Sequence, residues 1–230
     1  MRKWMIIVVV ALFAFPACSS QPKTEDDQAL YALGVQIQKQ LAVFDLSAEE
    51  LKLVQQGMKD SATGKKLEAD PEIQMQNIAA LAESRMAKAT EKQKVLSKAF
   101  IEKAAAEPGA VKAPSGMIYQ EISAGTGVQP TAANIVTVHY TGTLVDGKEF
   151  DSSVKRGEPA EFPLGQVIPC WTEGVGMMKV GGKAKLVCPS ETAYGDRGRP
   201  PVIPGGATLI FEVELLDVQD MNAPKPKAKK

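Results

Sequence analysis

The chain has 230 residues, with 27 Lys plus Arg against 27 Asp plus Glu and a formal net charge of zero at pH 7. That balance removes the electrostatic footing of a nucleic-acid binder, which must replace counterions on phosphate with its own cations. One His and three Cys argue against most zinc centres, and a Ser-His-Asp triad would have to be built on His139 alone; no metal or other cofactor is expected.

Residues 1–17 read as a signal peptide. Arg2 and Lys3 precede the apolar run Met5 to Phe15, too short to span a bilayer permanently and suited to a secretory leader. The adjoining Ala17-Cys18 resembles the bacterial lipoprotein signal, in which the Cys is acylated and becomes the new N-terminus. Phe15 and Pro16 depart from that pattern, and cleavage after Ser19 is the plain-secretion alternative. The resemblance makes Cys18 the lipidation candidate, in an exported protein of the bacterial periplasm anchored to the outer membrane. Export sets an oxidising compartment. Cys170 and Cys188 then remain, either as a disulfide or as two buried thiols.

Residues 18–24 form a tether, and beyond it the density of helix breakers divides the chain in two. Thr24 to Ala106 holds three Gly (Gly34, Gly57, Gly64) and one Pro (Pro71), whereas sixteen of the nineteen Gly lie beyond Glu107. Such a change separates a helical region, 25–107, from a turn-rich and strand-rich one, 110–219. Leu30, Leu33, Gly34, Ile37 and Leu41 recur at helical steps. Ser47-Ala48-Glu49-Glu50 is a capping box ahead of Leu51, Val54 and Met58. Asp70-Pro71 supplies an N-cap and first-turn proline for a long linking helix over about 71–106. Met75, Ile78, Ala82, Met86, Ala89, Leu96 and Phe100 form its thin apolar stripe. At 1.5 Å per residue this helix reaches roughly 50 Å, with too little stripe for a compact three-helix core. The two shorter helices are marginal alone. Their apolar faces need a partner, and a homodimer is expected, against the alternative of a monomeric three-helix bundle. Residues 220–230, rich in Lys and Pro, read as a disordered basic tail.

In the second region Ile118 to Ile122 is a short strand. Val136, Val138 and Tyr140 alternate with Thr137, His139 and Thr141, which puts His139 on the opposite face, in a structural position. Asp146-Gly147 marks a hairpin between Leu144 and Phe150. Lys183 to Cys188 and Thr208 to Val218 are further strands. Trp171, Val175 and Met178 come after Pro169 at helical spacing. The fold class is α+β: an N-terminal all-α dimerisation region with a long linking helix, then a curled antiparallel sheet of about five strands wrapped round a short helix.

Val138-His139-Tyr140-Thr141-Gly142, Phe150-Asp151-Ser152-Ser153, Val167-Ile168-Pro169-Cys170-Trp171, Ala193-Tyr194-Gly195 and Ala207-Thr208-Leu209-Ile210-Phe211 resemble the FK506-binding-protein type of peptidyl-prolyl isomerase, in order and spacing. The helical region, around Tyr31-Ala32-Leu33-Gly34-Val35, resembles the macrophage-infectivity-potentiator subgroup, exported enzymes that dimerise through their helices. The resemblance implies a pocket with catalytic residues Tyr140, Phe150, Asp151, Tyr194 and Phe211. Arg156, Phe162, Val167, Ile168, Trp171, Val202 and Ile203 would bind substrate. In that reading Trp171 is the floor, and the Ile168 N–H and Tyr194 hydroxyl donate to substrate carbonyls. Asp151 is either polar framework at the rotating carbonyl or an ion pair with Arg156 that only holds the fold. Ala160 replaces an aromatic found in some members, Arg199 takes a place often held by His, and Cys170 replaces a usual Gly, where pairing with Cys188 would tether the helix.

The function implied is cis–trans isomerisation of X–Pro bonds in exported proteins, with chaperone activity. The alternative is a holdase with incidental turnover. A thiol–disulfide enzyme is disfavoured, because Cys170 and Cys188 do not form a C-x-x-C motif. The implied partners are proline-containing unfolded or flexible polypeptides, FK506- and rapamycin-type macrocycles as inhibitors, a second copy of the chain, and a membrane through the lipid anchor.

Overall fold

The computed structural model describes residues 21–221. Residues 1–20, on which the signal-peptide expectation and the lipidation expectation for Cys18 fall, and the residues from Asn222 onward lie outside them. The chain divides into two compact units, one ending at Lys39 and the other beginning at Gln40. The described part of the first is essentially helix α1 (Glu25–Gln40). The Asp27 amide donates to Thr24 Oγ1 at 3.0 Å, and the Asp27 carboxylate accepts from the Thr24 amide at 3.0 Å, a reciprocal cap. No α1 side chain is buried, and Leu30 and Tyr31 are 68% and 67% exposed.

The second unit opens with a 3₁₀ turn, Leu41–Phe44, then α2 (Ala48–Ala62) and α3 (Met75–Ala105). The capping box at α2 is present. Ser47 Oγ accepts from the Glu50 amide at 3.3 Å, and the Ser47 amide donates to Glu50 Oε2 at 2.8 Å. Arg85 of α3 donates to Glu50 Oε1 at 2.5 Å and to the carbonyls of Phe44 and Asp45 at 3.3 Å. This charge, seconded by the Ser47 amide and hydroxyl, holds the Glu50 carboxyl down at about 2.

Helix α3 starts four residues later than the Asp70-Pro71 signal predicts. Asp70 Oδ1 accepts from the Glu72 amide at 2.9 Å, which forms a side-chain turn before the helix instead of capping it. The buried residues of α3 are Thr90, Ser97 and Ala104, one face at seven-residue spacing. Met75, Ile78 and Leu96 of the predicted stripe are exposed.

The sheet has seven strands in place of about five: β1 (Ala110–Lys112), β2 (Ile118–Ser123), β3 (Asn134–Leu144), β4 (Glu149–Ser152), β5 (Ala160–Pro163), β6 (Lys183–Cys188) and β7 (Leu209–Asp220). The extra two, β1 and β5, are only three and four residues long. The path is β1-β2-β6-β7-β3-β4, antiparallel throughout, with β5 pairing the other end of β3. Strands β4 and β5 thus share one edge of β3, separated by the helical turn α4 (Ser153–Arg156).

The period-two pattern of β3 and β7 sends Val136, Val138, Tyr140, Phe211, Val213 and Leu215 into one core with Trp171 and Val175 of α5 (Pro169–Gly176). Gly174 permits this contact, since a methyl there would lie 2.7 Å from Leu186 Cδ2. On the opposite face Ile118, Val187 and Ile210 meet Phe100, Ile101 and Ala104 of α3. The sheet is therefore covered by α5 on one side and by the end of the long helix on the other. Cys170 and Cys188 are joined by a disulfide, which ties α5 to the end of β6 with Cα atoms 5.6 Å apart.

Candidate active site

Strand β3 sets the back wall. The Tyr140 amide donates to Ser153 Oγ at 2.8 Å, and His139 Nδ1 lies 3.2 Å from the same hydroxyl. His139 therefore pins α4 to β3 from outside the pocket. Two residues on, Gly142 faces Phe211 across the β3–β7 ladder. A methyl at Gly142 would come within 2.6 Å of Phe150 and 3.0 Å of Phe211. Its missing side chain lets those two rings meet edge to face, with centroids 5.5 Å apart.

Trp171 occupies the floor. Its ring contacts Tyr140 and Phe211 at 5.2 Å and Phe162 at 5.5 Å, each nearly perpendicular. The indole sits at the first turn of α5, which begins with Pro169, and the Ile168 carbonyl accepts from the Trp171 amide at 2.9 Å. Trp171 Nε1 is buried without a hydrogen-bond partner among the described residues.

These walls enclose a cavity of about 680 Å³. Tyr140, Phe150, Asp151, Phe162, Val167, Ile168, Trp171, Tyr194, Val202, Ile203 and Phe211 all line it. Arg156 does not. It stands behind the wall, ion-paired with Asp151, with Nη2 donating to the Tyr140 hydroxyl at 3.1 Å. Ala160 also lies off the lining, packed on the core from β5. Gln166, Arg199, Pro200 and Pro201 complete the rim. Sequence reasoning assigns no role to Arg199 and misses the other three, although Pro200-Pro201 is itself a loop signal.

Polarity is concentrated at one end. The Tyr140 hydroxyl donates to Asp151 Oδ2 at 2.5 Å. Burial pushes the Asp151 carboxyl up, but the Tyr140 hydroxyl and then Arg156 outweigh it and leave the group below its ordinary value. Burial, and then the Asp151 carboxylate, raise Tyr140. Asp151 is therefore a fixed anion at neutral pH and a poor proton acceptor. At the rim, the Ile168 amide and the Tyr194 hydroxyl donate to no acceptor among the described residues. No group of three or more His, Cys, Asp or Glu able to hold a metal occurs among those residues. The site offers rings, two free donors and a fixed negative charge, which suits binding and bond rotation better than covalent chemistry.

Residues 126–216 match the family model of the FKBP-type peptidyl-prolyl cis-trans isomerase, and residues 26–120 that of the domain amino-terminal to it. The chain is 39% identical to FkpA of Escherichia coli (strain K12), over 90% of this chain and 80% of that one. It is 35% identical to the outer membrane protein MIP of Legionella longbeachae, over 85% and 87%. The crystal structure of E. coli FkpA superposes with a TM-score of 0.64 at 38% identity, covering 87% of this chain and 99% of that one. The chain belongs to the FKBP-type peptidyl-prolyl cis-trans isomerases, with the helical amino-terminal domain found in the FkpA and MIP branch.

Proposed function

We propose that the aromatic cavity over Trp171 is where the X–Pro bond turns. The observation that carries this reading is the convergence of Tyr140, Phe150, Phe162, Trp171 and Phe211 on one cavity beside a fixed anion. Rotation about X–Pro faces a barrier of about 18–20 kcal/mol, because the C–N bond has partial double-bond character. No covalent bond need form, so any preference for the twisted amide over the planar one accelerates the reaction. The planar amide is the more dipolar form, and transfer from water to the ring-lined cavity raises its energy selectively. The pyrrolidine ring rests on Trp171, and the Ile168 amide and Tyr194 hydroxyl hold the flanking carbonyls while one end rotates. Asp151, clamped by Tyr140 and Arg156, supplies the polar end facing the rotating carbonyl. A hundredfold to millionfold acceleration asks for about 3–8 kcal/mol in total.

The substrates are X–Pro bonds in unfolded or flexible exported proteins, and the setting is the bacterial periplasm. The leader sequence supports export, Ala17-Cys18 supports a lipid anchor, and the name of the Legionella relative supports the outer membrane as the place. The exposed apolar side chains of α1 support a helical region that pairs with a second copy and grips clients, as a chaperone does. The test of the site is titration with an FK506-type macrocycle in an isomer-specific peptide assay. Stoichiometric inhibition, lost in Trp171→Ala with the fold intact, is expected. Inhibition unaffected by Trp171→Ala places the reaction elsewhere.

A further inference from the structure

The rim residues Arg199 to Ile203 belong to a loop closed on itself. The Gly206 amide donates to the Gly195 carbonyl at 2.9 Å, and the Arg199 amide to the Ile203 carbonyl at 2.7 Å. Such a loop is a compact lip with a narrow neck. The neck rests on α3. Ser97, 6% exposed, donates to the Gly206 carbonyl at 3.0 Å and accepts from the Thr208 amide at 3.0 Å. Lys94 Nζ reaches Asp196 Oδ2 at 2.7 Å, and Thr90 Oγ1 reaches the Asp196 carbonyl at 3.5 Å. The neck glycines lie flat on the helix. A methyl on Gly205 would sit 2.6 Å from Thr90 Oγ1, and one on Gly206 would sit 3.0 Å from the Thr90 carbonyl.

We infer that α3 is a positioning strut for the pocket lip. Its Thr90-Lys94-Ser97 face sets where Arg199 to Ile203 stand over the cavity, and so sets substrate affinity. These are positioning residues, since none of the three lines the cavity. The Lys94–Asp196 pair is largely solvated and weak alone. Ser97 is the stronger element, because its loss leaves a buried carbonyl and a buried amide unpaired. The linking helix thereby gains a role in the reaction beyond joining the two regions, a role that rests on the cavity being the isomerase site.

The test uses the full chain carrying Ser97→Ala, Lys94→Glu, or the reversed pair Lys94→Glu with Asp196→Lys. Two quantities are read: amide hydrogen exchange across residues 196–206, and the split between KM and kcat on an X–Pro peptide. Phe211→Ala is run in parallel as the test of the cavity. Expected in Ser97→Ala are faster exchange confined to the lip and a KM raised roughly 5-fold with kcat changed far less, the size of one net hydrogen bond; Lys94→Glu should give the same pattern at smaller size. The reversed pair should recover most of the loss in Lys94→Glu. Unchanged exchange in Ser97→Ala overturns the strut. Faster exchange with unchanged KM overturns its role in affinity, and an unaffected Phe211→Ala then shows that the cavity assignment has failed instead.

Discussion

Asp151 is the residue whose environment says most about the chemistry. With its carboxyl held below the ordinary value by the Tyr140 hydroxyl and Arg156 against the effect of burial, its contribution is fully present above the unfolded value near 3.9. It is lost only as the pH falls through the lower folded value. Activity should therefore stay level through mildly acidic pH and decline only below about pH 4. Arg156→Met removes one of the groups that lower Asp151, and the acid limb of the kcat/KM profile should move to higher pH. A profile that is superimposable on that of the wild type excludes the clamp. The aromatic residues are legible in the sequence because their order and spacing match a known family. Arg156 is legible as a neighbour of Asp151 but not as a residue behind the wall, since five positions of separation do not reveal the α4 turn that folds it back.

At the scale of elements, caps and ties are the measurable features. Ser47→Ala should cost the helical region about 1 kcal/mol, read from denaturant unfolding of the intact chain. Glu50, held at about 2 by Arg85 and then Ser47, contributes stability above its unfolded pKa that is lost as the pH falls toward 2. Glu50→Gln should flatten this acid dependence, and an unchanged slope between pH 5 and 2 contradicts it. The disulfide between Cys170 and Cys188, 18 positions apart, should be worth roughly 3 kcal/mol. Unfolding with and without reductant measures it, and equal midpoints remove any contribution. The elements that can be read from sequence carry strong local signals, such as the Ser47 box, the Asp146-Gly147 hairpin and the alternation of β3. The others are either too short to show a period, as with β1 and β5, or chemically ambiguous. Thr90 and Ser97 look like solvent-facing helix positions, and only the tertiary fold shows that a glycine-lined loop covers them.

The molecule as a whole joins an isomerase domain to a helical region that leaves several large apolar side chains exposed. Leu33 and Leu53 are 56% and 73% exposed, as expected of faces awaiting a partner. Sedimentation equilibrium at micromolar concentration should give twice the chain mass, and a monomer mass independent of concentration contradicts the dimer. The central claim stands or falls on the cavity. The most direct measurement is the cis–trans rate of an X–Pro peptide with the doubly substituted Tyr194→Phe, Asp151→Leu chain, once its fold is verified. Loss of the rim donor and the fixed anion should lower kcat/KM by roughly 10- to 100-fold, the scale of one hydrogen bond to a charged group. A rate equal to that of the unmodified chain means that this pocket is not where proline turns.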